Sequence, residues 1–169
     1  ELSKGMKVKL SLIIALSHNA DFLLFDEPTS GLDPKVRNDI LEEIEIIKKE
    51  NNPAIFFSSH NMLDIERLAD RIIMINNGKI VFNEKKENLL NNWKKLEFQS
   101  EDVFNPKNDD NFIYMKSKKD NLYNALIKNY NQEIEKNIKK SGIINLSIIE
   151  LSLEEIFLEC LEIKNENIK

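Results

Sequence analysis

Apolar positions fall in short runs divided by charged and turn-forming residues, and their spacing changes along the chain. Between residues 3 and 18, Val8, Leu10, Leu12, Ile13, Ile14 and Leu16 predict a largely buried helix opening near Ser3, whose hydroxyl can accept from a first-turn N–H. Phe22–Phe25 is a four-residue apolar run that ends abruptly at Asp26-Glu27; it is too short for a helix and predicts a strand buried on both faces. Pro28 to Pro34 reads as a turn-rich loop. Asp33-Pro34 opens a helix, because proline at the first helical position loses no needed hydrogen bond, and Val36, Ile40, Ile44 and Ile47 continue it at helical spacing. Asn51-Asn52-Pro53 ends that helix. Ala54–Ser59 predicts a second short buried strand ending at His60, Met62–Ala69 an amphipathic helix, and Arg71–Ile75 a third strand turned by Asn77-Gly78 into Lys79–Phe82. The order α, β, α, β, α, β, β, with continuous apolar strands, predicts an α/β fold: a mostly parallel sheet with flanking helices on both faces.

After Asn83 the pattern changes. Glu84–Asn92 is polar and helical in character, Lys95–Gln99 and Phe112–Lys116 read as strands, and residues 100–111 between them read as a loop holding Pro106. Asp120 is positioned to cap a helix from Asn121 to about Asn137, since Leu122, Leu126, Tyr130 and Ile134 recur every fourth residue. Gly142 breaks it, Ile143–Ile149 reads as a strand, and Ser152-Leu153-Glu154-Glu155 is a capping box for a last helix carrying Leu153, Ile156, Phe157, Cys160 and Leu161 as one stripe. The expectation is a small α+β appendage of order β-β-α-β-α.

Composition narrows the classes. The chain has 169 residues, 41% hydrophobic and 31% charged, which is enough apolar material for a packed core. Net charge is −5; residues 1–82 hold 10 basic and 13 acidic groups and the remainder 14 and 16, so neither part is a basic nucleic-acid surface. One cysteine excludes an internal disulfide and a cysteine-rich metal cluster, and fits a reducing compartment. No apolar run approaches the length of a membrane span. Trp93 and the tail's Tyr and Phe residues lack interleaved basic residues and read as core; His18, at the end of the first helix, reads as a partner of its dipole.

The candidate chemistry begins at Asp26-Glu27. Two carboxylates at the carboxyl end of an interior strand are costly without a partner, and ligands of open α/β sheets bind beyond the strand ends. An aspartate there can serve Mg²⁺ and a following glutamate can polarise an attacking water. Taken alone, the pair reads first as a solvent-exposed pair in a loop. The helix opening at Ser3 offers N–H groups and a positive dipole end to an anion, and Gly5 permits close backbone approach, although an ordinary capped helix looks the same.

The longer pattern is more specific. Asp26-Glu27-Pro28-Thr29-Ser30-Gly31-Leu32-Asp33-Pro34, with Leu2-Ser3-Lys4-Gly5-Met6 upstream and His60 after Phe56-Phe57-Ser58-Ser59, resembles the ABC-type ATPase family from residue 2 to about 90. The resemblance implies a partial P-loop NTPase fold in which Asp26 is the Walker B aspartate serving Mg²⁺, Glu27 the catalytic base and His60 the switch histidine at the γ-phosphate. It also makes Leu2–Met6 the signature motif, with Ser3, Lys4 and Gly5 contacting ATP, and puts Asp33 of the D-loop at a dimer interface. Lys4 and Met6 depart from the family's Leu-Ser-Gly-Gly-Gln; lysine there either adds charge toward a γ-phosphate or extends into solvent. Leu151–Leu161 resembles the closing helix of exporter-type members.

A phosphate loop, G-x-x-x-x-G-K-[ST], is not in the sequence: of Gly5, Gly31, Gly78 and Gly142 only Gly78 precedes a lysine, and Ile80 follows it. With Glu1 rather than Met at the start, the expectation is a C-terminal fragment lacking the Walker A region, inactive alone. Residues 1–90 would be the C-terminal part of the ATPase domain and 91–169 an accessory α+β domain. The intact protein would pair with a second ATPase subunit, identical or not, around ATP and Mg²⁺, and drive a transmembrane permease in export from the cytoplasmic face of the membrane, with no nucleic-acid partner. The competing expectations are a soluble ABC ATPase acting on ribosomes or DNA, and a regulatory or binding role for the tail. Apolar surface exposed by missing strands predicts dimers, swapping or poor solubility.

Overall fold

Ser3 opens the first helix as its hydroxyl implies, accepting from the Met6 N–H at 3.2 Å. A computed structural model describes residues 3–17, 20–50, 52–100, 111–117, 121–140 and 142–162. The expectations for Leu2, His18, Pro106 and Asp120 lie outside these residues. The elements are α1 Lys4–Leu16, β1 Phe22–Phe25, α2 Pro34–Glu50, β2 Ala54–Phe57, α3 Met62–Leu68, β3 Arg71–Asn76, β4 Lys79–Lys85, α4 Lys86–Asn92, β5 Lys94–Ser100, β6 Phe112–Ser117, β7 Leu122–Ile127, α5 Gln132–Lys140, β8 Ile143–Glu150 and α6 Leu153–Glu162. The fold is mixed α/β, with a parallel strand pair and helices. The chain divides into two compact units, Glu1–Ala69 and Asp70–Lys169.

In the first unit, β1 and β2 run parallel in register, Phe22 opposite Ala54 and Phe25 opposite Phe57. Their core face meets the helices: Leu23 packs with Leu12 of α1, with Ile40, Leu41, Ile44 and Ile47 of α2, and with Leu68 of α3. Strand alternation sends Phe22, Leu24 and Phe56 to the other face, where they are exposed by 59%, 67% and 48%. The expectation that β1 is buried on both faces is therefore corrected: among the described residues the helices of this unit cover one face. The same one-sided packing corrects α1, which buries Leu12 but leaves Met6, Leu10, Ile13 and Ile14 exposed.

In the second unit, β3 and β4 form an antiparallel hairpin. Asn77 and Gly78 both take positive φ (49° and 71°), as a two-residue hairpin turn requires. β4 runs on to Lys85, so α4 begins at Lys86 rather than Glu84. Trp93, which ends α4, is buried edge-on against Phe82, a core residue as its sequence setting implies. A four-stranded antiparallel sheet follows, in the order β6-β7-β5-β8.

The helix expected over Asn121 to about Asn137 is replaced by β7 and the shorter α5. Leu122, Leu126, Tyr130 and Ile134 fit a helical period, but residues 123–127 are all buried, because β7 lies between β5 and β6. Asn129 turns the chain at φ 57°, and Asn131 caps α5 by accepting from the N–H groups of Glu133 and Ile134 at 2.9 and 3.0 Å. The appendage thus has a β-β-β-α-β-α order. Ile134 and Ile138 of α5 pack with Leu96, Phe98, Ala125 and Ile127 of the sheet. Lys95 alternates to the other face, where its ammonium meets Glu159 of α6 at 2.6 Å; Tyr114 donates to the same carboxylate. The capping box forms, Ser152 N–H donating to Glu155 Oε2 at 2.8 Å and Glu155 N–H to Ser152 Oγ at 3.3 Å.

Leu153, Ile156 and Cys160 form the buried stripe of α6. Burial, with the neighbouring Glu159 charge, pushes the Cys160 thiol up to about 12. At about pH 8 it is then almost wholly protonated and unreactive. Iodoacetamide is expected to leave Cys160 unmodified in the folded chain and to label it once urea unfolds the unit; labelling of the folded chain at the rate of a free thiol would contradict this packing.

Candidate active site

The parallel ladder extends one step past the strands, Ser58 N–H donating to Phe25 O at 2.9 Å. This draws Ser58 beside the two acids that follow β1. Its hydroxyl donates to Asp26 Oδ1 at 2.6 Å and accepts from Glu27 N–H at 2.9 Å. Glu27 takes φ 47°, a left-handed conformation rare for a residue with a side chain. Its carboxylate turns toward His60, with Nδ1 2.8 Å from Oε2. No donor is aligned on Oε2, which is buried without a hydrogen-bond partner. The imidazole is 75% exposed. Asp26, Glu27 and His60 thus converge at one end of the parallel pair, gathered by Ser58.

These residues fit Mg²⁺ and its bound water. Glu27 Oε2 is an acceptor held ready without a donor, and Asp26 is exposed with one carboxylate oxygen engaged by Ser58. Among the described residues no group of three or more His, Cys, Asp and Glu side chains could hold a metal ion. Mg²⁺ needs no such cage, since it is bound through one or two carboxylates together with substrate phosphates and water.

The other candidates form a second group. Ser3 caps α1, and Asp33 caps α2 by accepting from the Val36 N–H at 3.1 Å through Oδ1. Lys4 reaches an internal partner, its ammonium donating to the Ser30 carbonyl at 2.6 Å. That contact ties the start of α1 to the loop between Glu27 and Asp33. Gly31 in that loop has φ 65°, and a Cβ there would meet the Lys4 ammonium at 2.5 Å. Gly5 is buried against α2, and a Cβ on it would lie 2.6 Å from Val36 Cγ1. Close helix packing is thus a sufficient reason for glycine at this position.

Sequence reasoning passed over Ser58 and a buried network behind the loop. Thr29 Oγ1 donates to Asp64 Oδ2 at 2.6 Å, and Arg37 donates to Asp64 Oδ1 through Nε at 2.8 Å and Nη2 at 2.5 Å. Arg37 Nη2 also donates to Asn61 Oδ1 at 2.7 Å, the atom that caps α3 through Leu63 N–H. These partners stand 24 to 35 residues apart, so no local pattern joins them; the one signal was an aspartate on the apolar side of the helix after His60.

The chain is similar to several known proteins. The family described as "AAA domain, putative AbiEii toxin, Type IV TA system" matches residues 1–65. The chain is 38% identical over 97 residues to the energy-coupling factor transporter ATP-binding protein EcfA2 of Clostridium perfringens, covering 57% of this chain and 34% of that protein. It is 38% identical over 113 residues to the ABC transporter ATP-binding protein NatA of Bacillus subtilis, covering 67% of this chain and 41% of that protein. A solved structure titled "An inward-facing conformation of a putative metal-chelate type ABC transporter" superposes with TM-score 0.49 at 17% identity, over 76% of this chain and 48% of that one. By name these two relatives are ATP-binding proteins of transporters, and the chain is similar to each over the shares given. The chain spans between a third and a half of the length of these curated relatives.

Gly5→Ala is expected to push α1 from α2 and cost about 1–3 kcal/mol, because the β-branched Val36 cannot turn aside freely. The double variant Gly5→Ala, Val36→Ala is expected to recover much of that loss in urea unfolding. Gly5→Ala at full stability would show that packing does not require this glycine.

Proposed function

We propose that these residues belong to the ATP-hydrolysing subunit of an ABC transporter, residues 1–90 forming the C-terminal part of its ATPase domain and 91–169 an accessory domain. The observation that carries the reading is Glu27: an uncapped, buried carboxylate oxygen beside His60, held by a backbone conformation that only a surrounding network sustains. Glu27 accepts the proton of the attacking water and orients it toward the γ-phosphate of ATP, and His60 contacts that phosphate from the same side. Asp26 would hold Mg²⁺, which when bound neutralises charge on the β- and γ-phosphates. Ser58 fixes Asp26 and Glu27 relative to each other. Ser3, Lys4 and Gly5 face the nucleotide of a second ATPase subunit, with Asp33 at that interface.

The relatives' names supply the transport context: both are ATP-binding proteins of transporters, and neither name states a direction. Export is our reading from the tail's likeness to exporter-type members. Among the described residues no helix is long and apolar enough to cross a membrane. A separate permease partner, with this subunit lying on the cytoplasmic face of the membrane, completes the proposal.

With no phosphate loop in the sequence, the 169-residue chain alone is expected to hydrolyse no ATP. In the longer protein carrying these residues, Glu27→Gln is expected to nearly abolish turnover while ATP-induced dimers persist in size-exclusion chromatography. Turnover within about twofold of the unsubstituted protein would remove Glu27 from the role of base.

A further inference from the structure

We infer that Asp64 is a positioning residue for Glu27, acting through Thr29; the inference rests on the reading of Glu27 as the hydrolytic base. Asp64 lies on α3 and is 1% exposed, and its two oxygens serve different elements. Oδ2 accepts from Thr29 in the loop after Glu27, and Oδ1 accepts twice from Arg37 in the first turns of α2. Arg37 in turn holds Asn61, the residue after His60. One buried carboxylate therefore fixes the loop that follows the base and the segment that carries the histidine.

The link from Thr29 to Glu27 is short. Ser30 N–H donates to Glu27 O at 3.1 Å and Leu32 N–H to Thr29 O at 3.3 Å, so Thr29 sits inside the turn that Glu27 begins. Glu27 itself is at φ 47°, which its neighbours must enforce. Ser58 holds its N–H on one side. On the other, the only buried polar side chain in the turn is Thr29, anchored to Asp64. With that anchor gone, the turn is free to relax toward negative φ, which carries the Glu27 carboxylate away from His60. The hydrogen bond is between a hydroxyl and a buried carboxylate, the strong kind that can impose such a conformation.

The test uses the longer ATPase carrying these residues, in its assembled form. Thr29→Val and Thr29→Ala remove the donor, and Thr29→Ser keeps it. Both donor-free variants are expected to lower kcat about tenfold or more with KM for ATP within about twofold, while Thr29→Ser stays within about threefold of the parent. Hydrogen exchange is expected to quicken at the Ser30 and Leu32 amides in the donor-free variants and not within α2. Unchanged kcat in Thr29→Val and Thr29→Ala, or Thr29→Ser as slow as they are, would overturn the inference. Failure of both donor-free variants to fold would also overturn it, since the bond would then serve the fold and not Glu27. A parent protein with no Mg²⁺-dependent ATPase, or one indifferent to Glu27→Gln, would instead overturn the hydrolase reading, and the hydrogen-exchange result would still report on the Thr29 anchor.

Discussion

The hydroxyl of Ser58 is the contact on which the rest of the site depends. It donates to Asp26 and accepts from the Glu27 N–H, so one side chain sets the spacing of both acids. The bond that bears on Glu27, its N–H to the Ser58 hydroxyl, joins neutral groups and contributes about 0.5–1.5 kcal/mol. A left-handed residue with a side chain costs roughly 1–2 kcal/mol. The two are of similar size, so Ser58 alone barely holds Glu27 in place, and the turn on the far side of Glu27 has to contribute. Parallel pairing places Ser58 there: it stands one residue past the β2 end, opposite the residue that follows β1.

Behind the acids, a second layer is built from charge that has been taken out of water. A buried carboxylate such as Asp64 costs several kcal/mol to desolvate and is tolerated only with full hydrogen bonding. Arg37 and Thr29 supply it. On the other side of the loop, Lys4 on the Ser30 carbonyl and Gly5 against Val36 join α1 to the loop and to α2. The residues resembling a signature motif are therefore engaged with their own chain before any nucleotide or second subunit is considered.

Much of this was legible in the sequence. Local rules located α1, β1, α2, β2, α3 and the β3–β4 hairpin within a few residues, because caps, proline and Asn-Gly act over short distances. Asp26 and Glu27 stood out by their place at a strand end, and His60 came forward with the family resemblance. What stayed hidden depended on partners far along the chain. Ser58 reads as one of two serines ending a strand, and nothing local says that it bridges two acids 31 and 32 residues away. The same limit explains β7: the spacing of Leu122, Leu126, Tyr130 and Ile134 fits a helix, and only pairing with β5 and β6 makes the segment a strand. The faces of β1 and α1 were misjudged for a related reason, since an apolar run shows that a surface avoids water but not what covers it.

The most direct measurement is a crystal structure of the longer protein with Mg²⁺ and a slowly hydrolysed ATP analogue. A water within hydrogen-bond reach of Glu27 Oε2, about 2.6–3.2 Å, lying in line with the γ-phosphate, and the ion beside Asp26, is the expected result. A nucleotide bound with Asp26 and Glu27 still closed on Ser58 and His60, and with no water or ion between the acids and the phosphates, would contradict it.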